Sequence, residues 1–203
     1  LGEHLPLLDL MPANAPIAWV RGGEGLVGWG VHASTTVSGP NRFSDARTWW
    51  HNQVEKFSVA DAVHVSGTGP VLFTSFSFSE SEESVLVIPK VIVGQRNGKS
   101  WLTWIGDIAQ PILPTEKTIS NSAKLTWQDE PISTSDWEDQ VTKLVRKIQS
   151  GNVDKVVLAR DQSAKADSEI DVRSVLRNLA SEYPSTWNFA VAGLVGATPE
   201  LLL

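Results

Sequence analysis

Two short stretches near the carboxy-terminal end constrain this chain most: GNVDKVVLAR from Gly151 to Arg160, and GATPELLL from Gly196 to Leu203. The first opens on a turn residue and becomes a β-branched run headed by Lys155. The second ends an apolar run, beginning at Trp187, in a Thr-Pro pair followed by Glu200. Between them Asp171 to Tyr183 carries Val172, Val175, Leu176 and Leu179 at helical spacing and stops at Pro184, which predicts a helix. A run from Trp187 to Val195 is expected to return as a buried strand. With a helix expected before Gly151, the order helix, strand, helix, strand and strand is expected to bring Lys155 and Glu200 to neighbouring strand ends, with room for a pocket between them.

Strand alternation in Lys155 to Arg160 sets Lys155, Val157 and Ala159 on one face, which reads as buried. Glu200 is flanked by Ala197, Pro199 and the leucines at 201 to 203, which reads as an apolar wall. An amine works as a general base near neutral pH only when desolvation or a positive neighbour lowers its pKa, and a carboxyl works as an acid when burial raises its pKa. Lys155 and Glu200 are therefore a candidate base and acid. Each alone has a simpler reading, since a lysine at a strand end is usually solvated and a glutamate beside proline usually belongs to a turn.

Taken together, the KVVLAR run and the GATPEL run resemble the chorismate-utilising enzymes, most closely the isochorismate synthases. The resemblance is specific over about residues 136 to 203 and weaker over GPVLFTSFSF, from Gly69 to Phe78. It implies the amino-terminal half of the chorismate-utilising, anthranilate synthase component I-like fold, the carboxy-terminal half being absent. Lysine at position 155, where ammonia-using members carry glutamine, implies water as the nucleophile. Lys155 would activate water for attack at C2 of chorismate, and Glu200 would protonate the departing C4 hydroxyl. The resemblance further implies Mg2+ held by carboxylates in the missing half, and a product feeding menaquinone or siderophore biosynthesis. A salicylate synthase of the same family is the nearest alternative, and a non-catalytic ligand-binding or interaction fragment is the alternative of another class.

Upstream, Pro16 to Val20 and Leu26 to Val37 predict two strands around the turn Arg21-Gly22-Gly23-Glu24-Gly25. Gly23, Gly25 and Gly28 formally match the dinucleotide fingerprint. That fingerprint requires a helix opening at about Gly25, and the residues after it are β formers and glycine. A helix is expected from near Ser44, then strands at Ala62 to Val65, Val71 to Phe78, Ser84 to Val93 and Ser100 to Ile105. Asn97-Gly98 marks a hairpin. Ser75, Ser77 and Ser79 line one strand face; without a histidine or an elbow sequence, a polar face explains them better than a nucleophile. Ser135-x-x-Glu138 reads as a capping box for a helix striped by Trp137, Val141, Leu144, Val145 and Ile148. Its Lys143, Arg146 and Lys147 read as a solvated face, and Gly151 ends it.

The expected class is thus α+β, with mainly antiparallel sheets packed with helices, forming part of a single chorismate-binding domain over 1-203. Residues 1-134 are its strand-rich part, beginning with an extended lead-in over 1 to 15, and 135-203 its helix-strand-helix-strand part. With no cysteine, thiolate chemistry is excluded, and four scattered histidines argue against zinc. A net charge of −6 argues against a nucleic-acid surface. No apolar run approaches the ~20 residues of a membrane span, so a cytoplasmic monomer acting on a small molecule is the expectation. Nine tryptophans, scattered through helices and strands, read mostly as core or half-buried anchors.

Overall fold

The computed structural model describes residues 5–13, 15–106, 110, 111, 113, 123–128 and 132–200. The chain divides into two compact units: Leu1–Ile119 with Asp171–Leu203, and Ser120–Ile170.

The first unit is built on a seven-stranded antiparallel sheet. Its strands are β1 (Ile17–Arg21), β2 (Glu24–Val37), β3 (Phe73–Ser75), β4 (Ser84–Arg96) and β5 (Lys99–Trp104), joined by β8 (Trp187–Val191) and β9 (Leu194–Thr198). The order is β3-β4-β2-β1-β8-β9, with β5 sharing the β3 edge of β4. Short turns set this register. Asn97 and Gly98 take φ of 50° and 72°, the positive pair that a two-residue hairpin turn needs to match strand twist. Pro89 lies in the middle of β4 and has no N–H to give; the register of β2 shifts opposite it, between Val31 and Ala33.

Alternation along the strands separates two faces. Ala18, Val20, Val27, Val93 and Ala190 point to one side and form a core with Leu7, Met11 and Leu176. Leu7 belongs to a 3-10 turn, Leu7–Leu10, and Leu176 to helix α3 (Val172–Glu182). Within the expected extended lead-in, the described residues Leu7 to Met11 are therefore a core element, because Leu7 and Met11 find apolar partners there. Asp171 caps α3 by accepting the Arg173 N–H at 3.0 Å, and its carboxylate pairs with the buried Arg173 guanidinium at 2.7 Å. Helix α1 (Arg42–Val54) starts close to where its sequence pattern placed it.

Several expected strands are shorter or absent. Ala62 to Val65 forms a loop in which Asp61 accepts hydrogen bonds from the Val63 and His64 N–H groups and from the Thr68 hydroxyl. Only Phe73–Ser75 of the Val71–Phe78 run pairs with β4. Ser77 lies outside the strand, its hydroxyl 2.8 Å from the Ser79 carbonyl and 3.0 Å from that of Glu82, so the serines there close a turn. The run from Trp187 is split by Ala192-Gly193, both at positive φ, into the β8/β9 hairpin. Alanine is a poor residue for that conformation, which hid the turn.

The second unit contains a two-stranded ribbon, β6 (Leu125–Trp127) with β7 (Ala164–Ala166), and helix α2 (Thr134–Gln149). The cap of α2 is Ser133, not Ser135: its hydroxyl accepts the Asp136 N–H at 3.1 Å and donates to the Asp136 carboxylate at 2.7 Å. Two overlapping serine-x-x-acid boxes compete here, and the earlier one adds two residues, Thr134 and Ser135, to the helix. Gly151 follows the C-cap with φ of 75°.

Candidate functional site

Lys155 lies in an irregular segment, not on a strand: Lys155 to Arg160 pairs with no strand among the described residues. The neighbouring ribbon takes the later residues Ala164–Ala166 instead, fixed at its ends by Gln128 N–H to the Ser163 carbonyl at 2.9 Å and Lys124 N–H to the Asp167 carboxylate at 2.9 Å. β propensity expresses packing on a pleated, half-buried surface, and without an adjacent strand a β-branched run gains nothing from extension. The expected buried face is therefore absent. Lys155 is exposed and Val157 is 81% exposed.

Glu200 lies one residue beyond β9, after Pro199. Its N–H donates to the Thr198 hydroxyl at 3.1 Å, forming a turn across Pro199. The glutamate and Pro199 are both exposed and Ala197 is half-buried, so the expected apolar wall is not formed by these neighbours. Leucines 201 to 203 lie outside the described residues. Glu200 belongs to the sheet unit and Lys155 to the other. Lys143, Arg146 and Lys147 are exposed on α2, as a solvated face requires. Arg160 lies over the Trp137 ring, 5.8 Å from its centroid.

Among the described residues no three or more histidine, aspartate or glutamate side chains converge as a metal site. Magnesium is usually held by one or two carboxylates together with waters and substrate oxygens, so this observation assigns it no ligand among these residues. The glycine fingerprint also has no phosphate-binding geometry, because Glu24–Val37 is strand throughout rather than a helix entrance.

On the opposite sheet face, which carries a second core of Ile17, Phe73, Val87 and Val191, cross-strand partners place Trp101, Gly94, Leu26, Trp19, Phe189 and Gly196 in one row. Trp19 stacks on Phe189 at 5.7 Å and on Trp187 at 5.6 Å, with 25° between the tryptophan rings. A cavity of about 560 Å³ opens there, lined by Trp19, Trp187, Arg21, Arg96 and Glu24 among others. Composition alone did not single these residues out. Alternation did contain the signal, since Trp19 and Arg21 are two apart on one strand, as are Trp187 and Phe189 on another.

The profile described as chorismate binding enzyme matches residues 19–203. The chain belongs to the chorismate-binding enzyme family. A protein of Mycobacterium tuberculosis carrying the name isochorismate synthase MenF is 28% identical over 155 residues, covering 71% of this chain and 38% of the relative. The isochorismate synthase MenF of Bacillus subtilis is 26% identical over 167 residues, covering 68% of this chain and 36% of the relative. Among solved structures, a protein of Bacillus anthracis assigned as the 2,3-dihydroxybenzoate-specific isochorismate synthase DhbC aligns with a TM-score of 0.58 at 16% identity. That alignment covers 97% of this chain and 47% of the other. The α+β architecture is thus that of a chorismate-binding enzyme, and the chain spans less than half the length of these relatives. No helix among the described residues is long and apolar enough to cross a membrane.

Proposed function

We propose that this chain is the amino-terminal half of an isochorismate synthase. In the complete protein the neutral amine of Lys155 takes a proton from water as the water oxygen bonds to C2 of chorismate. Glu200 gives its proton to the C4 hydroxyl, which leaves as water while the ring double bonds shift. One water enters and one departs, so the reaction is an isomerisation to isochorismate. Support comes from the family match, which spans both motifs, together with lysine at 155 and glutamate at 200. Magnesium is proposed as the cofactor, with ligands from outside these residues. The exposure of Lys155 fits a site that this chain does not complete: a lysine base needs desolvation, and the described residues do not supply it.

The test is Lys155→Ala in the complete enzyme. Turnover should fall by the ~10² to 10⁴ that a lost general base costs, with the fold intact by circular dichroism. Lys155→Gln should show a similar defect. Isochorismate formation at the parental rate by either variant would remove Lys155 from the mechanism.

A further inference from the structure

The cavity on the aromatic sheet face combines two recognition elements that the proton-transfer reading does not use. The first is a platform. Trp19 lies between Trp187 and Phe189 in a cross-strand ladder and is still 40% exposed, so part of its ring remains open to a ligand. Glycines make room for flat rings on this face: a Cβ at Gly196 would meet the Phe189 ring at 2.8 Å. The second element is charge. Arg21 and Arg96 both line the cavity, and neither is in an ion pair among the described residues. The opposing carboxylate, Glu24, already accepts the Asn97 N–H at 2.6 Å. Two guanidiniums against one carboxylate leave a local excess of one positive charge on a chain of net charge −6.

Arg21 lies against Trp187, 5.8 Å from the ring centroid. A guanidinium held on an indole keeps its edge N–H groups for a planar anion, because its stacking face and its donor fork are perpendicular. We propose that this cavity binds a planar aromatic monocarboxylate, its ring stacked on the Trp19–Trp187 platform and its carboxylate paired with Arg21 and Arg96. A neutral sugar would use the platform but leave both cations unanswered. A di- or triphosphate would overmatch the single excess charge. The volume of about 560 Å³ suits a small-molecule ligand of this class. Glu200 is not among the lining residues, so the site is distinct from the proposed acid and stands or falls independently of it.

The experiment is calorimetric titration of the 203-residue chain with benzoate, cyclohexanecarboxylate and benzyl alcohol as probes. Benzoate should bind saturably at one site. The saturated acid lacks the planar aromatic face and the alcohol lacks the charge, so each should bind at least about tenfold more weakly, a difference of about 1.4 kcal/mol. The exposed pair Arg21→Gln with Arg96→Gln should weaken benzoate at least about tenfold with an unchanged far-UV spectrum. Trp19→Phe, which keeps a stacking face, should weaken it less than Trp19→Leu. Absence of saturable benzoate binding, or affinity indifferent to the double arginine substitution, would overturn the proposal. Chorismate displacing benzoate would overturn its independence from the chorismate site.

Discussion

Gly94 and Trp101 face each other across the β4/β5 hairpin, and the indole occupies the space where a side chain at 94 would begin: a Cβ there would lie 2.2 Å from the ring. Trp101 is only 3% exposed, and its ring N–H donates to the Gly67 carbonyl at 3.3 Å. The glycine thus ties the strand register to the loop that Trp101 anchors.

Substituting Gly94→Ala should therefore displace the indole from both contacts. Overpacking of this kind costs about 1–3 kcal/mol, and the loss of the indole bond adds to it. Urea denaturation should show a lower midpoint with an unchanged slope. Gly98→Ala, where nothing lies within 4 Å of the added atom but φ is 72°, should cost less, since only backbone strain opposes it.

Asp61 organises the loop that ends near Gly67. The Thr68 hydroxyl at 2.6 Å, then the His64 and Val63 N–H groups, hold its carboxyl at about 2, below the ordinary 3.8. A depressed folded-state value means the ionised form favours folding. That stabilisation is complete above the ordinary value and is lost as pH falls through about 2. Asp61→Ala should accordingly be less stable than the parent at pH 7, and the gap between their melting temperatures should close as pH falls from 4 to 2. A gap that stays constant over that range would mean the carboxylate is not the source of the loop's order.

Legibility in the sequence followed locality. Asn97-Gly98, the apolar alternation of β2 and β4, and the stripe of α3 are decided by residues a few positions apart, and each was readable. Ala192-Gly193 was hidden because alanine is an unusual residue at positive φ. The strand expected at Lys155 to Arg160 failed for another reason: a strand is a property of two segments, and the described residues bring no second one to that run. The same distinction separates the two functional readings. Lys155 and Glu200 could be named from their motifs, whereas the burial expected around each is not supplied by the described residues. The Trp19–Trp187 platform needed the pairing of β1 with β8, residues far apart in the chain, to become visible.

Glu200→Gln in the complete enzyme should retain the size and much of the hydrogen bonding of the side chain while removing its transferable proton. Under the proposed mechanism that proton is needed only as the C4 hydroxyl departs. Turnover should fall further than substrate affinity, because the lost interaction develops in the transition state. Steady-state kinetics with chorismate measures this directly, and a change confined to the Michaelis constant would assign Glu200 to substrate binding instead.

The 203-residue chain by itself should form no isochorismate and bind chorismate weakly. Chorismate carries two carboxylates, while the chain carries net charge −6 and its basic cluster Lys143, Arg146 and Lys147 faces solvent on α2. Magnesium could bridge that mismatch, but a site supplies one or more converging carboxylates besides substrate oxygens and waters, and Glu200 is the sole carboxylate in its motif. Lys155 is exposed, so nothing among the described residues orients it against a substrate. Each of these deficits acts on a different step, so restoring one does not restore turnover. Calorimetric titration of the chain with chorismate, with and without magnesium, should show no micromolar binding, and an isochorismate assay on the same sample should stay at background. The intact mass of that sample must read near 22.1 kDa, so that the result belongs to this chain alone. Micromolar binding or measurable turnover at that mass would mean that the chain completes the site unaided or by self-association, and the assignment as one half of the enzyme would be wrong.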